Sequence, residues 1–321
     1  MLPSKDRLTV CFAHVAYGMQ DRFALRNTMI DSFQVRSREE LDARLGDFDV
    51  LVCSGMWRND LIGTASRLKL VQSISAGTDQ YDKPAMQAAG IRLASAAGVN
   101  ARAVSEHAMA LILALSRRLP DARDNQHKKY WRGMQSDHAL REDELGGKTV
   151  LVVGLGKIGN RLAHLAKAFD MRVVATRRDP AAGGEAHEVH GMGALKSLLP
   201  QADYVVLTCP LTPETEKLMN AETLALMKPG AALVNMARGR VVDEAALIAA
   251  LQSGALTLAA IDVVVEEPLP EYSPLWSLPN VFMTPHTGGE TRRYEDNVLD
   301  ILVENLDRLS RGETQLRNQI V

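Results

Sequence analysis

The sequence predicts an α/β fold in two units, and three observations carry that expectation. Short apolar runs rich in β-branched residues alternate with helical patterns, nearly every run ends in a polar or glycine-rich turn, and one turn reads Gly154-Leu155-Gly156-Lys157-Ile158-Gly159. A chain of 321 residues, 46% of them hydrophobic, holds more apolar material than one core usually takes up, so two cores are expected.

In the second half the runs are Thr149 to Val153, Arg172 to Ala175, Tyr204 to Thr208, Ala232 to Asn235, Leu258 to Ile261 and Val281 to Thr284. Such runs, spaced by helical patterns, predict a parallel sheet covered by helices. Ligands of open parallel sheets bind outside the carboxyl ends of the strands. The chemistry is therefore expected in the turns GLGKIG, TRRDP, CPLTP, ARGR, DVVVEEP and PHTGG. The first hundred residues repeat the alternation more weakly, with runs at Leu8 to Ala13, Phe48 to Cys53, Leu70 to Ile74 and Ile91 to Ala94. They predict a second, smaller α/β unit. A helix over Ala101 to Arg118, N-capped by Asn100 and stopped by Pro120, is expected to connect the two. The segment Leu119 to Lys148 is polar and aperiodic, which suits a loop engaged with a partner.

Charge and cysteine usage exclude several classes of function. A formal net charge of −2, with both signs spread along the chain, offers no basic field to nucleic acid and no polybasic segment to a membrane surface. The opening MLPSKDRLTV has charges where a signal peptide needs an apolar core, and the apolar stretch Ala108 to Leu115 is too short to span a bilayer. Cys11, Cys53 and Cys209 lie far apart without a C-x-x-C pair, which argues against a disulfide framework and for a reducing, cytoplasmic setting. His187 and His190 have metal-like spacing but only Glu185 and Glu188 beside them, so no metal is expected. His127 and His138 are expected in solvent, and His107 to pack or hydrogen-bond on its helix. A small-molecule ligand remains.

The glycine motif lies between the strand KTVLVV and the helical pattern RLAHLAKAF. Glycines there permit a tight turn and close backbone approach, and the helix N-terminus faces a pyrophosphate. Gly154, Leu155, Gly156, Lys157, Ile158 and Gly159 are therefore expected to hold a dinucleotide. About 20 residues further on, an acidic residue would accept from the ribose 2′-hydroxyl of NAD. Here the positions read Thr176, Arg177 and Arg178. A hydroxyl and two guanidinium groups suit a 2′-phosphate, so NADP is favoured over NAD.

Three groups follow later strands: Arg238 in NMARGR, Glu267 in DVVVEEP and His286 in TPHTGG. Each alone reads as an ordinary surface residue. Together they supply what reduction of a 2-oxo acid requires. Hydride addition leaves negative charge on the carbonyl oxygen, so the site needs a proton donor that titrates near neutrality, which histidine is. A carboxylate beside it favours the charged ring and fixes the tautomer. A cation that stays protonated must bind the substrate carboxylate and polarise the carbonyl, which suits arginine.

Over nearly its whole length the chain resembles the D-isomer-specific 2-hydroxyacid dehydrogenase family. The matching blocks are SAGTDQYD at 75–82, AAGVNARAVSEHAMALILALSRRLP at 96–120, GLGKIGNRLA at 154–163, CPLTPET at 209–215, NMARGRVVDEAAL at 235–247, IDVVVEEPLP at 261–270 and TPHTGGET at 284–291. The resemblance implies Arg238 as the substrate-orienting arginine, Glu267 as the carboxylate partner and His286 as the acid/base. It implies that the amides of Ala76 and Gly77 receive the substrate carboxylate. It places Asp262 near the nicotinamide carboxamide, with Cys209, Pro210, Thr215 and Ala237 among the cofactor contacts. Similar formate dehydrogenases carry Gln where this chain has Glu267, so the Glu–His pair points to carbonyl chemistry.

The implied architecture is a doubly wound Rossmann cofactor domain, residues 101–287, inserted into a smaller flavodoxin-like substrate domain of residues 1–100 and 288–321. The implied substrate is a small 2-oxo or 2-hydroxy acid such as glyoxylate or hydroxypyruvate, bound in the cleft between domains, with Met56 and Trp57 expected to wall its side-chain pocket. Members are commonly homodimers through the cofactor domain, and Trp131 is the candidate to approach the neighbour. Dinucleotide-sensing corepressors share the architecture and can retain all three groups, so a non-enzymatic binding role stands as the alternative.

Overall fold

The computed structural model describes residues 3–321. The chain divides into two compact units, Met1–Asn100 with Thr291–Val321, and Ala101–Glu290.

In the first unit, β1 (Thr9–Ala13), β2 (Asp31–Val35), β3 (Val50–Cys53), β4 (Leu70–Ser73) and β5 (Arg92–Ala94) form a parallel sheet in the order β2-β1-β3-β4-β5. This is the flavodoxin-like order. Alternation along the strands gives each face its own core. Val10, Phe12, Val50, Val52 and Leu70 pack with Val298, Leu299 and Leu302 of the helix Tyr294–Ser310. Cys11, Leu51, Cys53 and Val71 face Phe48, Leu61 and Met86. Strand β2 had no clear sequence signal, because Asp31-Ser32-Phe33-Gln34-Val35 is a half-exposed edge without an apolar run.

Met56 and Trp57 belong to the second of these cores, at 5% and 6% exposure. The Trp57 ring lies 5.1 Å from Tyr81 and its N–H donates to Asn59 at 2.9 Å. Both side chains pack in the core of this unit.

The second unit is a seven-stranded parallel sheet in the order β12-β11-β10-β9-β6-β7-β8. Its strands are β6 (Thr149–Val153), β7 (Arg172–Arg177), β8 (Glu188–Gly191), β9 (Tyr204–Leu207), β10 (Ala232–Asn235), β11 (Leu258–Ile261) and β12 (Val281–Met283). The order reverses between β6 and β9, which is the topological switch point where such sheets bind ligands. The helices Ala101–Ser116 and Lys157–Ala168 pack on one face through Ala108, Ile112, Leu162 and Ala166.

Two local expectations fail here. Asn100 does not cap the helix, since its Oδ1 is buried without a hydrogen-bond partner. Pro120 starts a helix instead of ending one. The chain turns at Arg118, φ +50, and a new helix Leu119–His127 takes Pro120 in its first turn, where no backbone N–H is needed. That helix has no buried residue, so it left no apolar periodicity to read. Among the described residues no helix is long and apolar enough to cross a membrane.

Candidate active site

The turn after β6 is shaped for close approach to a ligand. Gly154 has φ +105, and a Cβ there would stand 2.5 Å from the Cys209 nitrogen. Its N–H and that of Leu155 both donate to the Thr176 carbonyl, at 3.0 and 2.9 Å, which ties the turn to the end of β7. A Cβ on Gly159 would meet the Gly154 carbonyl at 2.5 Å, whereas one on Gly156 would meet nothing within 4 Å. Two of the glycines are thus dictated by internal packing. The third faces open space at the start of a helix whose N-cap, Gly156, supplies no side-chain cap. Uncapped amides beside an open backbone are the donor set a pyrophosphate needs.

A cavity of about 650 Å³ lies at this turn, lined by Gly154, Leu155, Gly156, Arg177, Arg178, Cys209, Pro210 and Thr215 among others. Lys157, Ile158 and Gly159 form the first turn of the helix behind it. The Thr215 hydroxyl donates to the Pro210 carbonyl at 2.6 Å and accepts from the Thr212 N–H at 2.8 Å, so it holds the loop after β9 in shape. Burial pushes the Cys209 thiol up to about 11. Ala237 is buried, at 5% exposure, beneath the turn after β10.

The end of the cavity beside β7 differs from the sequence reading in two respects. Thr176 is fully buried and its hydroxyl has no partner. It serves the turn through its carbonyl, and its side chain does not line the cavity with Arg177 and Arg178. Two carboxylates, Asp179 and Glu214, do line it, although none stands at 176–178. Asp179 accepts from the Ala181 N–H at 3.1 Å. The Glu214 carboxyl is held below the usual range by the Thr212 hydroxyl and nearby backbone N–H, with a smaller contribution from Arg178. Arg177 donates to the Gly183 carbonyl.

Arg238, Glu267 and His286 follow β10, β11 and β12, three neighbours in a parallel sheet, so their turns meet at one edge. Nδ1 of His286 lies 2.7 Å from Oε2 of Glu267. The other Glu267 oxygen accepts from the Val264 N–H at 3.2 Å. With Nδ1 committed to the carboxylate, the ring offers Nε2 for proton transfer. His286 has φ +56, a backbone region that costs a non-glycine residue free energy and persists where the surroundings impose it. Its N–H donates to the Asp262 carbonyl at 2.7 Å. The Arg238 turn is shaped by Asn235, which accepts from the Ala237 N–H at 3.0 Å and donates to the Arg238 carbonyl at 3.1 Å. Gly239 follows, where a Cβ would stand 2.0 Å from the Val264 carbonyl.

Asp262 is 4% exposed, and its carboxylate accepts from Thr284, Thr287 and Gly288. Asn235, Thr284 and Gly288 were not legible as site residues, because their roles lie in contacts between turns far apart in sequence. Ala76 and Gly77 follow β4 in the first unit, and among the described residues neither N–H has a protein acceptor. Among the described residues no group of three or more His, Cys, Asp or Glu is placed to hold a metal. His187 accepts from the Val173 N–H at 2.9 Å, and His190 lies 3.3 Å from Glu188.

A doubly wound parallel sheet with a pyrophosphate-shaped turn at its switch point, and an arginine and a Glu–His pair at one edge, defines a dinucleotide-binding α/β protein. The family pattern described as "D-isomer specific 2-hydroxyacid dehydrogenase, NAD binding domain" matches residues 109–288. The chain is 36% identical over 282 residues to the glyoxylate reductase of Pyrococcus furiosus, covering 86% of this chain and 83% of that protein. It is 36% identical over 282 residues to the D-3-phosphoglycerate dehydrogenase of Methanocaldococcus jannaschii, covering 86% of this chain and 52% of that protein. The chain thus spans about half the length of that dehydrogenase. A solved structure of a D-isomer specific 2-hydroxyacid dehydrogenase family protein from Aeromonas salmonicida is 29% identical and superposes with a TM-score of 0.87, covering 98% of this chain and 99% of that one. The chain belongs to the D-isomer specific 2-hydroxyacid dehydrogenase family.

Proposed function

We propose that the protein is an oxidoreductase that interconverts a small 2-oxo acid and its 2-hydroxy acid with a nicotinamide dinucleotide, NADP(H) favoured. The observation that carries this is the 2.7 Å contact between His286 Nδ1 and Glu267 Oε2, at the edge of a sheet whose switch point carries the dinucleotide turn. The cofactor, when bound, supplies or accepts the hydride. His286 gives its Nε2 proton to the carbonyl oxygen as that oxygen becomes anionic, and takes it back in the reverse direction. Glu267 holds Nδ1 at 2.7 Å and so fixes the orientation of the ring, leaving Nε2 for proton transfer. Arg238 binds the substrate carboxylate and polarises the carbonyl, and the amides of Ala76 and Gly77, which have no protein acceptor among the described residues, are proposed as carboxylate donors. Hydride at carbon and proton at oxygen together account for both electrons and both hydrogens of the alcohol.

Similarity to a glyoxylate reductase supports glyoxylate as substrate, and hydroxypyruvate is proposed as a 2-oxo acid of the same small class. The polar segment after Arg118 exposes Tyr130, Trp131 and Met134, with Trp131 at 95%. We assign that face to a second copy of the chain. The test of the activity is oxidation of NADPH by the purified protein with a panel of 2-oxo acids. Dinucleotide binding without turnover of any of them would overturn the enzymatic reading and leave a sensor.

A further inference from the structure

The turn that carries His286 is tied to one buried carboxylate. Asp262 Oδ1 accepts the Thr284 hydroxyl at 2.5 Å and the Thr287 N–H at 3.0 Å, and Oδ2 accepts the Gly288 N–H at 3.0 Å. The Asp262 carbonyl accepts the His286 N–H at 2.7 Å. A carboxylate cannot donate, so the one hydroxyl hydrogen of Thr284 goes to Asp262, and Thr284 must accept at its other contact. That contact is Nε2 of His107 at 3.0 Å. The donors therefore run from His107 Nε2–H to the Thr284 hydroxyl and on to Asp262, an assignment made from the network. The cluster has no spare room. A Cβ on Gly288 would stand 2.8 Å from Asp262 Oδ2 and 3.2 Å from Cδ2 of His107.

We infer that His107, on the helix Ala101–Ser116, is a positioning residue for His286, acting through Thr284 and Asp262. It touches no reacting atom. Its N–H fixes the Thr284 hydroxyl, the hydroxyl completes the donors on Asp262, and Asp262 holds the turn in which His286 keeps its left-handed backbone. The Glu267 contact orients the ring, while the His107 chain orients the backbone beneath it. This inference rests on the proposed acid–base role of His286.

The test uses Thr284→Val and His107→Leu, which break the chain at different bonds, with Thr284→Ser and His107→Gln as partners that keep a hydroxyl and an N–H donor. Turnover of a 2-oxo acid and amide hydrogen exchange of the 284–290 segment are measured in each. The first two variants are expected to lose about 10- to 100-fold in kcat, keep KM for the cofactor within about twofold, and exchange about tenfold faster at 284–290. The conservative pair recovers most of both losses. Wild-type exchange in Thr284→Val and His107→Leu overturns the inference whatever the activity, and faster exchange at unchanged kcat overturns it too. If one variant fails to fold, the other decides. A wild-type protein that turns over no 2-oxo acid removes the acid–base reading of His286, and the exchange measurement then still decides whether His107 orders the turn.

Discussion

Oε2 of Glu267 stands 2.7 Å from Nδ1 of His286, although the two residues follow different strands and are 19 positions apart in sequence. The pairing follows from the parallel sheet, which brings the turns after β11 and β12 to one edge. Two groups held this way act as a unit, and units are not additive on mutation. His286→Ala is expected to cut kcat about 100-fold or more, the usual scale for a lost general acid. Glu267→Gln should cut it less, and the double variant should be no worse than His286→Ala alone. Additive losses in kcat would separate the two residues.

The motif glycines separate folding from binding. Gly154→Ala places a Cβ against the Cys209 backbone at a positive φ, and is expected to destabilise the protein by about 1–3 kcal/mol. Gly156→Ala meets nothing in the free protein, so Tm should hold while dinucleotide affinity falls. Thermal unfolding and cofactor titration of both variants check this. An Ala at 156 that binds cofactor normally would move the pyrophosphate elsewhere.

The cysteines should be silent in the folded protein. Cys11, Cys53 and Cys209 are free and buried. Burial pushes the Cys11 thiol up to about 12 and the Cys209 thiol up to about 11, and raises Cys53 as well. Thiolate is the reactive form. At about pH 8, near the ordinary thiol range, a disulfide reagent should label none quickly in the native protein and all three in denaturant. Fast native labelling of Cys209 would contradict the packing beside Gly154.

The exposed face after Arg118 makes a prediction about assembly. Trp131 is 95% exposed, and Tyr130 and Met134, close to it in sequence, are exposed as well; this is apolar surface that a second copy of the chain would bury. Sedimentation is expected to give about twice the 35.1 kDa chain mass, and Trp131→Ser to weaken the dimer. A stable, active monomer at working concentration would remove the assignment.

Legibility in the sequence tracked burial. Thr149–Val153, Ala232–Asn235 and Leu258–Ile261 are strands at the bounds their apolar runs suggest, because buried parallel strands are apolar on both faces. The edge strands Asp31–Val35 and Glu188–Gly191 are half-exposed and polar, and gave no such run. Arg238, Glu267 and His286 could be singled out as candidates because each follows a strand and bears a functional group, and the structure brings Glu267 and His286 into contact. The His107–Thr284–Asp262 chain was not legible, since His107 and Thr284 are 177 residues apart and only folding brings them together.

The last prediction concerns the choice of cofactor, where the structure complicates a simple charge argument. Arg177 and Arg178 line the cavity beside the glycine turn, but so do Asp179 and Glu214. The carboxylates are engaged locally, Asp179 with the Ala181 N–H and Glu214 with Thr212. Arg177 is anchored on the Gly183 carbonyl, which places its charge at small entropic cost, whereas Arg178 is exposed and must be ordered by its ligand. A charge-assisted bond contributes about 1.5 to 3 kcal/mol, or roughly 10- to 150-fold in affinity. Solvent screening of Arg178 and competition from two carboxylates argue for the lower end, about tenfold. The protein is therefore expected to favour NADPH over NADH in kcat/KM, and Arg177→Asp to abolish or reverse the preference. Arg178→Ala should weaken NADPH alone, because NADH brings no phosphate for it to meet. The comparison belongs near physiological ionic strength, since low salt exaggerates charge effects. A wild-type preference for NADH would sink the proposal, whatever either variant did.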